Sequence, residues 1–262
     1  MITIGERING QFADVRRAIA ERDSRPVEDL ARRQTKAGAS YLDINVGTAA
    51  EDQQAAMRWL VETVQGACST PIALDSQKLS VIKAGLEVCD GRGLMINSVS
   101  GDDEKLDVYM PLAVEHKAAL VCLTMTKEGV PQNVETRVEI AMNIVAKAME
   151  HGMDMPKVFI DPIVLPITVD QKQPGFLCQV IQQLKLLSDP PPSTIVGLSN
   201  ISQGTSNRHL INRIALVMLQ GAGLDAAIID VLDTDIMDAA ITADMLLDRM
   251  IYSDSYLKAA RM

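Results

Sequence analysis

The most constraining feature of this sequence is an eightfold alternation between short apolar runs and longer segments with helical periodicity. The runs have the length of buried strands, and the segments repeat apolar residues at three- and four-residue steps, which predicts helices. In the segment 207–219, Leu210, Ile211 and Ile214 share one face, whereas Arg213 lies off it. The predicted strands cover residues 2–4, 41–46, 71–74, 94–97, 119–123, 158–163, 194–198 and 226–231. The predicted helices cover residues 27–37, 53–64, 79–88, 103–115, 134–150, 176–187, 207–219 and 236–247.

This alternation predicts an α/β fold with a parallel sheet. Strands that are apolar on both faces are typical of parallel sheets, because helices cover both sides. Eight strand–helix units fit a single (β/α)8 TIM barrel better than a doubly wound sheet, and 262 residues is the usual length of such a barrel. No linker divides the chain, so one domain is predicted over residues 1–262.

Charge and composition exclude several classes of protein. Against 34 Asp and Glu there are 25 Lys and Arg, and the net charge of −9 disfavours binding to nucleic acid or to an anionic membrane. Neither a leader pattern nor an apolar run of about 18 residues is present, which predicts a cytoplasmic protein without a membrane span. The four cysteines and three histidines lack the spacing of metal ligands, so no protein-bound metal is expected.

Polar side chains follow almost every predicted strand. In a parallel barrel the carboxyl ends of the strands meet at one mouth, where active sites form. Carboxylates and carboxamides can pair with the amino-pyrimidine edge of a flat, nitrogen-rich heterocycle. Single Asp or Asn residues at such positions also cap helices, but their number here favours a binding site. These residues are Glu6, Asp43, Asn45, Asp75, Asn97, Ser98, Asp161, Ser199, Asn200 and Asp230.

Six short motifs carry a resemblance to a known family. They are GERING at 5–10, LDINVG at 42–47, LDS at 74–76, INS at 96–98, IDP at 160–162 and GLSNIS at 197–202. In this order they resemble the pterin-binding TIM barrels. More narrowly, the chain is similar over essentially its whole length to the methyltetrahydrofolate:corrinoid/iron-sulfur protein methyltransferases.

The resemblance implies roles for individual residues. Asn200 would lie beside N5 of the pterin and act as the catalytic residue. Asp75, Asn97 and Asp161 would hold the pterin ring, and Gly197, Ser199, Gln203 and Arg208 would line the site. The strand-end residues Glu6, Asp43, Asn45 and Ser98 are expected to support it. The aspartates that hold the pterin edge are expected to stay ionised through their own hydrogen bonds.

The implied reaction moves a methyl group between N5 of methyltetrahydrofolate or tetrahydrofolate and the cobalt of a corrinoid. Corrinoid domains that bind cobalt through histidine use an Asp-x-His-x-x-Gly motif, and none of the three histidines here is preceded by that aspartate. The corrinoid is therefore expected on a partner protein that docks at the barrel mouth, or as free cobalamin. The family also implies a homodimer.

Alternatives remain at this point. Relatives run the transfer in both directions, including from a methylcorrinoid to tetrahydrofolate during demethylation of methylated amines, and nothing at the strand ends fixes the direction. The partner and the preference for folate polyglutamates are open as well. Dihydropteroate synthase would need a strand-end lysine and basic residues for its diphosphate, but residues 232–235 are acidic. A non-catalytic folate-binding subunit is disfavoured by the complete set of site residues.

Overall fold

The computed structural model describes residues 1–260 and contains eight parallel strands in a closed barrel. Consecutive strands are neighbours, and β8 returns to pair with β1. The predicted α/β class and single TIM barrel are confirmed. The predicted domain 1–262 includes residues 261 and 262, which lie outside the described residues. The strands are β1 (Ile2–Asn9), β2 (Tyr41–Asn45), β3 (Ile72–Asp75), β4 (Leu94–Ser100), β5 (Ala119–Leu123), β6 (Val158–Asp161), β7 (Ser193–Gly197) and β8 (Ala226–Ile229).

Helices connect the strands, and neighbouring helices contact one another around the barrel. Within residues 1–260, none of these helices has the length and apolar character needed to cross a membrane. Short 3-10 turns follow at Met155–Lys157 and Leu198–Asn200. The α-helices are α1 (Ala13–Glu21), α2 (Ser24–Lys36), α3 (Gln53–Ala67), α4 (Leu79–Leu86), α5 (Asp103–Glu115), α6 (Val134–Glu150), α7 (Gln173–Leu184), α8 (Arg208–Ala222), α9 (Thr234–Leu246) and α10 (Tyr256–Ala260).

Apolar side chains form an inner cluster and an outer layer. Strand residues such as Ile4, Met95 and Phe159 form the inner cluster and are at most 4% exposed. The outer layer combines strand residues with helix residues, including Leu60 and Ile144, which are fully buried. The strands are thus covered on both faces, which explains why most of them are continuous apolar runs.

The largest difference from the predicted elements is at the amino-terminal end. β1 extends to Asn9, well beyond the predicted end at residue 4, because its last residues are polar and hide the strand pattern. Its register with β2 shifts between Gly5 and Ile8, which marks a bulge. Helix α1 was not predicted, and it begins after Phe12 without a side-chain cap. The short helix α10 was not predicted either.

Candidate active site

The carboxyl ends of the strands surround a cavity of about 780 Å³. Of the twelve residues that the sequence predicts for the site, ten line this cavity. The strand ends therefore converge as the barrel prediction requires. The ten are Glu6, Asp43, Asn45, Asp75, Asn97, Gly197, Ser199, Asn200, Gln203 and Arg208.

Helix capping does not explain the predicted carboxylates and carboxamides. Helices α2, α3, α6 and α9 are capped by other residues, whose side chains accept from backbone N–H groups in the first turn. These caps are Asp23, Asp52, Asn133 and Asp233. The side chains of the predicted site residues on the strands are thus not used as helix caps and can contact a ligand in the cavity.

The floor cluster consists of Asp43, Asn45, Asp75 and Asn97. Strand register brings it together, because Asn45 lies opposite Asp75 on β3, and Asp75 lies opposite Asn97 on β4. Asn45 Nδ2 donates to Asp75 Oδ2 over 2.5 Å, and Asn97 Nδ2 donates to Asp43 Oδ1 over 3.0 Å. The floor thus presents a dense set of acceptors and donors to a planar ligand.

Burial makes ionisation of these carboxyl groups costly. It raises the pKa of Asp43 well above its ordinary value, with a further rise from the charge of Asp75. Burial likewise raises the pKa of Asp75, although the amide of Asn45 opposes the change, and it raises the pKa of Asp161 to about 7. Desolvation thus opposes the ionisation that hydrogen bonds are expected to preserve, and the ionised state of these aspartates stays a prediction.

Glu6 forms the wall of the cavity near β7. The hydroxyl of Ser199 lies 2.9 Å from Glu6 Oε1 and 3.0 Å from Oε2, so it donates to this carboxyl group. Burial raises the pKa of Glu6 to about 7; the Ser199 hydroxyl lowers it, and Asp230 raises it further. The guanidinium of Arg208 donates to the Ser199 carbonyl over 3.0 Å and to Ser202 Oγ over 3.1 Å. Arg208 thereby fastens the turn after β7.

Asn200 ends the 3-10 turn that follows β7, and its side chain lines the cavity. Its side-chain amide makes no hydrogen bond within residues 1–260, and the residue is exposed. Gly197 is a neighbour of this amide, because a Cβ at that position would lie in ordinary van der Waals contact, 3.6 Å from Asn200 Nδ2. The amide is therefore available to donate to a ligand or to accept from it.

Two predicted site residues do not line the cavity. Ser98 lies where the register between β4 and β5 shifts, between Asn97 and Val99, and it is half-buried. Asp161 is 9% exposed at the end of β6, and its Oδ1 accepts from the Ile163 N–H over 2.7 Å. The sequence shows that a residue ends a strand, but local turns decide whether its side chain reaches the mouth.

A buried arginine holds the turn after β6. Ile163 has a φ of +64°, which is unfavourable for a β-branched residue. Arg137 on α6 is 1% exposed and donates to the Pro162 carbonyl over 3.0 Å, to the Ile163 carbonyl over 3.3 Å and to Gln173 Oε1 over 3.1 Å. It also donates to the Pro131 carbonyl over 2.9 Å. These bonds stabilise the strained turn that follows Asp161.

Several cavity residues were not predicted as part of the site. Arg7 packs over the ring of Phe12, with its guanidinium carbon 3.9 Å from the ring centroid. Asn212 lies one helical turn after Arg208 on α8, a spacing that could have identified it. Loop residues such as Gln11 carry no comparable signal. They are Arg7, Asn9, Gln11, Phe12, His209, Asn212, Ile228, Asp233 and Ile236, and the strand-end candidate Asp230 lines the cavity as well.

No group of three or more His, Cys, Asp or Glu side chains in residues 1–260 has the geometry to hold a metal ion. The absence of a protein-bound metal nonetheless stays a prediction.

Comparison with known proteins agrees with this geometry. The model of the family described as pterin binding enzyme matches residues 11–230. The chain is 34% identical to a methylcorrinoid:tetrahydrofolate methyltransferase of Eubacterium limosum, over 100% of this chain and 96% of that protein. It is also 34% identical to methionine synthase of Mycobacterium leprae over 87% of this chain, but it spans only 20% of that protein. A solved structure of Yersinia pestis dihydropteroate synthase is similar in fold, with a TM-score of 0.69, 14% identity and coverage of 94% of this chain and 93% of that one.

Proposed function

The chain belongs to the family of pterin-binding enzymes, and from this premise we propose that it transfers a methyl group between N5 of tetrahydrofolate and the cobalt of a corrinoid. The observation that carries the proposal is the full-length similarity to a methylcorrinoid:tetrahydrofolate methyltransferase. Forward and reverse transfer pass through the same transition state, so one site serves both directions. The name of that relative favours a methylcorrinoid as the donor in the cell.

The floor cluster supports binding of the pterin ring. Asp75 and Asn97 can pair with N–H donors and acceptors along its pyrimidine edge. We assign Asp161 as a third contact because only its Oδ1 accepts a hydrogen bond within residues 1–260, which leaves Oδ2 free. Gly197, Ser199, Gln203 and Arg208 would line the ring where it leaves the floor. Glu6, Asp43, Asn45 and Ser98 would support these contacts.

Asn200 is the residue that we propose acts at N5. When methyltetrahydrofolate is the donor, the CH3–N5 bond breaks, the methyl group bonds to Co(I), and N5 keeps the electron pair and takes up a proton. Charge therefore changes at N5 in the transition state. Within the described part of the chain the amide of Asn200 has no hydrogen-bond partner, so it can donate to N5 or accept from N5–H. A contact that strengthens in the transition state raises the rate, and its loss typically costs about 3 kcal/mol.

The reaction can be tested with free cobalamin as the methyl carrier. The protein is incubated with methyltetrahydrofolate and cob(I)alamin, and methylcobalamin formation is followed by absorbance; the reverse arm uses methylcobalamin and tetrahydrofolate. We expect enzyme-dependent transfer in both arms. Methyltetrahydrofolate binding without transfer in either arm would instead identify a folate-binding subunit.

The role of Asn200 requires a matched comparison. We expect Asn200→Ala to slow methyl transfer on the order of a hundredfold in stopped-flow measurements. Asn207→Ala is the control, because Asn207 is exposed, makes no side-chain cap and does not line the cavity. A transfer rate close to that of the unmodified protein in Asn200→Ala would refute the role.

The corrinoid is proposed to arrive at the barrel mouth on a partner protein. Direct transfer requires the cobalt to approach N5 closely, and the cavity lies where the strands end. Cobalamin in the assay takes the place of that partner. A cytoplasmic location also stays our prediction.

An exposed apolar surface supports the proposed homodimer. On α8, Leu210, Ile214 and Met218 are about half exposed, and Leu246 at the end of α9 is 73% exposed. Contiguous exposed apolar surface often marks a site of protein–protein contact. We expect light scattering to give the mass of a dimer and Ile214→Glu to give a monomer. A monomeric unmodified protein would contradict the proposal.

Dihydropteroate synthase activity is not proposed. The solved dihydropteroate synthases that resemble this chain are 13–18% identical to it, with TM-scores of 0.67–0.69, and this similarity supports the fold alone. Within residues 1–260, no lysine lines the cavity, and the loop after β8 carries Asp230 and Asp233. That acidic loop does not suit a diphosphate leaving group.

A further inference from the structure

A side-chain hydrogen bond joins two strands that are not neighbours in the barrel. Glu6 lies on β1 and Ser199 follows β7, and β8 lies between these two strands. The Ser199 hydroxyl lies 2.9 Å from Glu6 Oε1 and 3.0 Å from Oε2. Because β8 ends at Ile229, the two side chains meet beyond its carboxyl end, where both line the cavity. This contact is therefore additional to the backbone hydrogen bonds of the barrel.

The contact acts on the turn that carries Asn200. Ser199 and Asn200 are consecutive residues of the 3-10 turn Leu198–Asn200. A second contact comes from α8, where the guanidinium of Arg208 donates to the Ser199 carbonyl over 3.0 Å. Glu6 thus holds the side chain of Ser199, and Arg208 holds its backbone. The turn is fixed both from β1 and from α8.

The side chain of Asn200 does not fix its own position. Its amide makes no hydrogen bond in the described part of the chain, and the residue is exposed. Its place in the cavity therefore depends on the backbone of the turn, which is short and is closed by the Ile201 N–H donating to the Leu198 carbonyl over 3.0 Å. A displacement of a reacting group by about 1 Å can lower a rate on the order of a hundredfold.

We propose that Glu6 is a positioning residue for methyl transfer, which fixes the turn through its hydrogen bond with Ser199 so that the amide of Asn200 lies at N5 of the folate. This inference rests on the proposed function for its reaction. The ionised carboxyl group accepts from Ser199, and the neutral acid keeps a carbonyl oxygen that accepts as well. The role therefore needs an acceptor at position 6 and no charge. Glutamine fulfils this need, and alanine does not.

The first test measures single-turnover methyl transfer to cob(I)alamin at saturating methyltetrahydrofolate. We expect Glu6→Ala and Ser199→Ala each to slow transfer about tenfold. The double variant should be no slower than either, because both substitutions remove the same contact. Glu6→Gln should stay within about threefold of the unmodified protein. A tenfold loss in Glu6→Gln, or losses that multiply in the double variant, would overturn the proposal.

The matched control for these variants is Thr205→Ala. Thr205 does not line the cavity, and its hydroxyl donates to the Ser202 carbonyl over 2.8 Å in the same loop. Its substitution removes a hydrogen bond of the loop but leaves the contact between β1 and the turn in place. We expect transfer within about threefold of the unmodified protein. A loss as large as in Glu6→Ala would show that any weakening of the loop slows transfer, which contradicts a specific role of Glu6.

The second test asks whether Glu6 acts through Asn200. Glu6→Ala is added to Asn200→Ala, and we expect no further slowing, because the amide that Glu6 positions is already absent. A further tenfold loss would assign Glu6 another route to the reaction and would overturn the proposal. Calorimetry should show methyltetrahydrofolate binding to Glu6→Ala within about threefold of the unmodified protein. Weakened binding with an unchanged rate at saturation would instead make Glu6 a binding residue, against the proposal.

A ligand-free measurement separates this inference from the proposed function. The N–H groups of Ile201 and Gln203 donate to the carbonyls of Leu198 and Asn200, so their hydrogen exchange reports on the turn. We expect this exchange to be at least about tenfold faster in Glu6→Ala and Ser199→Ala, and unchanged in Glu6→Gln. Peptides from α6 serve as the internal control. Unchanged exchange in both alanine variants overturns the inference. The expected exchange pattern without methyl transfer by the unmodified protein contradicts only the proposed function.

Discussion

Replacing Glu6 by glutamine should change how stability depends on pH. The pKa of Glu6 is raised from 4.5 to about 7, because the folded protein buries the carboxyl group. Between these two values the folded state binds the proton more tightly than the unfolded chain does. The free energy of unfolding therefore falls as the pH rises from the pKa of Glu6 in the unfolded chain to its pKa in the folded protein. The loss is complete above the folded-state pKa.

The size of this effect follows from the two pKa values. A separation of about 2.5 pH units corresponds to at most about 3.4 kcal/mol, of which about 2.5 kcal/mol develops between pH 5 and pH 8. Glutamine carries no charge and its side-chain oxygen still accepts from the Ser199 hydroxyl. The free energy of unfolding of the variant therefore does not fall through ionisation at position 6. Because the side chain keeps some contact with water in the cavity, these figures are upper limits.

Urea unfolding of both proteins at the two pH values measures the difference. We expect Glu6→Gln to gain up to about 2.5 kcal/mol relative to the unmodified protein when the pH is raised from 5 to 8. Any constant cost of the substitution cancels in this comparison. Glu62→Gln, at an exposed position on α3, is the matched control and should show no such gain. An equal pH dependence in all three proteins would show that Glu6 is solvated like a surface glutamate.

Other predictions concern the scaffold. Arg137→Met leaves four buried or partly buried carbonyl or amide acceptors without their donor and should lower the free energy of unfolding by about 3 kcal/mol in urea titrations; an unchanged midpoint would contradict this. Gly10→Ala should cost at least about 2 kcal/mol, because its Cβ would lie 2.1 Å from a backbone oxygen. Gly66→Ala on α3, with nothing within 4 Å, should instead stabilise the protein by about 0.5–1 kcal/mol. Cys122 is buried and has a raised pKa, so a thiol reagent should modify it only upon unfolding, whereas Cys68 should react in the folded protein; equal rates would refute this.

The barrel was predictable because its strands are apolar on both faces and its helices keep a regular period. The end of β1 was missed for the same reason, because its polar side chains interrupt the apolar pattern by which the other strands were predicted. Helix α1 was hidden for another reason. It has only three buried residues, Val15, Ala18 and Ile19, and it begins without a side-chain cap, so neither signal of a helix is strong.

The floor of the site was predictable in the same way, because strand register alone places Asn45, Asp75 and Asn97 side by side. The sequence could not show how burial shifts the pKa of these groups, since desolvation depends on the packed barrel. Nor could it show that Asp161 turns toward its own backbone, because a positive φ at Ile163 and the contacts of Arg137 create that turn.

The bulge in β1 links the cavity to a helix outside the barrel. Gln34 on α2 is fully buried, and its side-chain oxygen accepts from the backbone N–H of Arg7 over 3.1 Å. That oxygen lies 2.4 Å from the place where a Cβ on Gly5 would be, so only glycine leaves room for it. The residue types at positions 5 and 34 should therefore covary among related proteins. A relative without this glutamine can carry a larger residue at position 5, and the backbone there need not orient the Glu6 side chain as it does here.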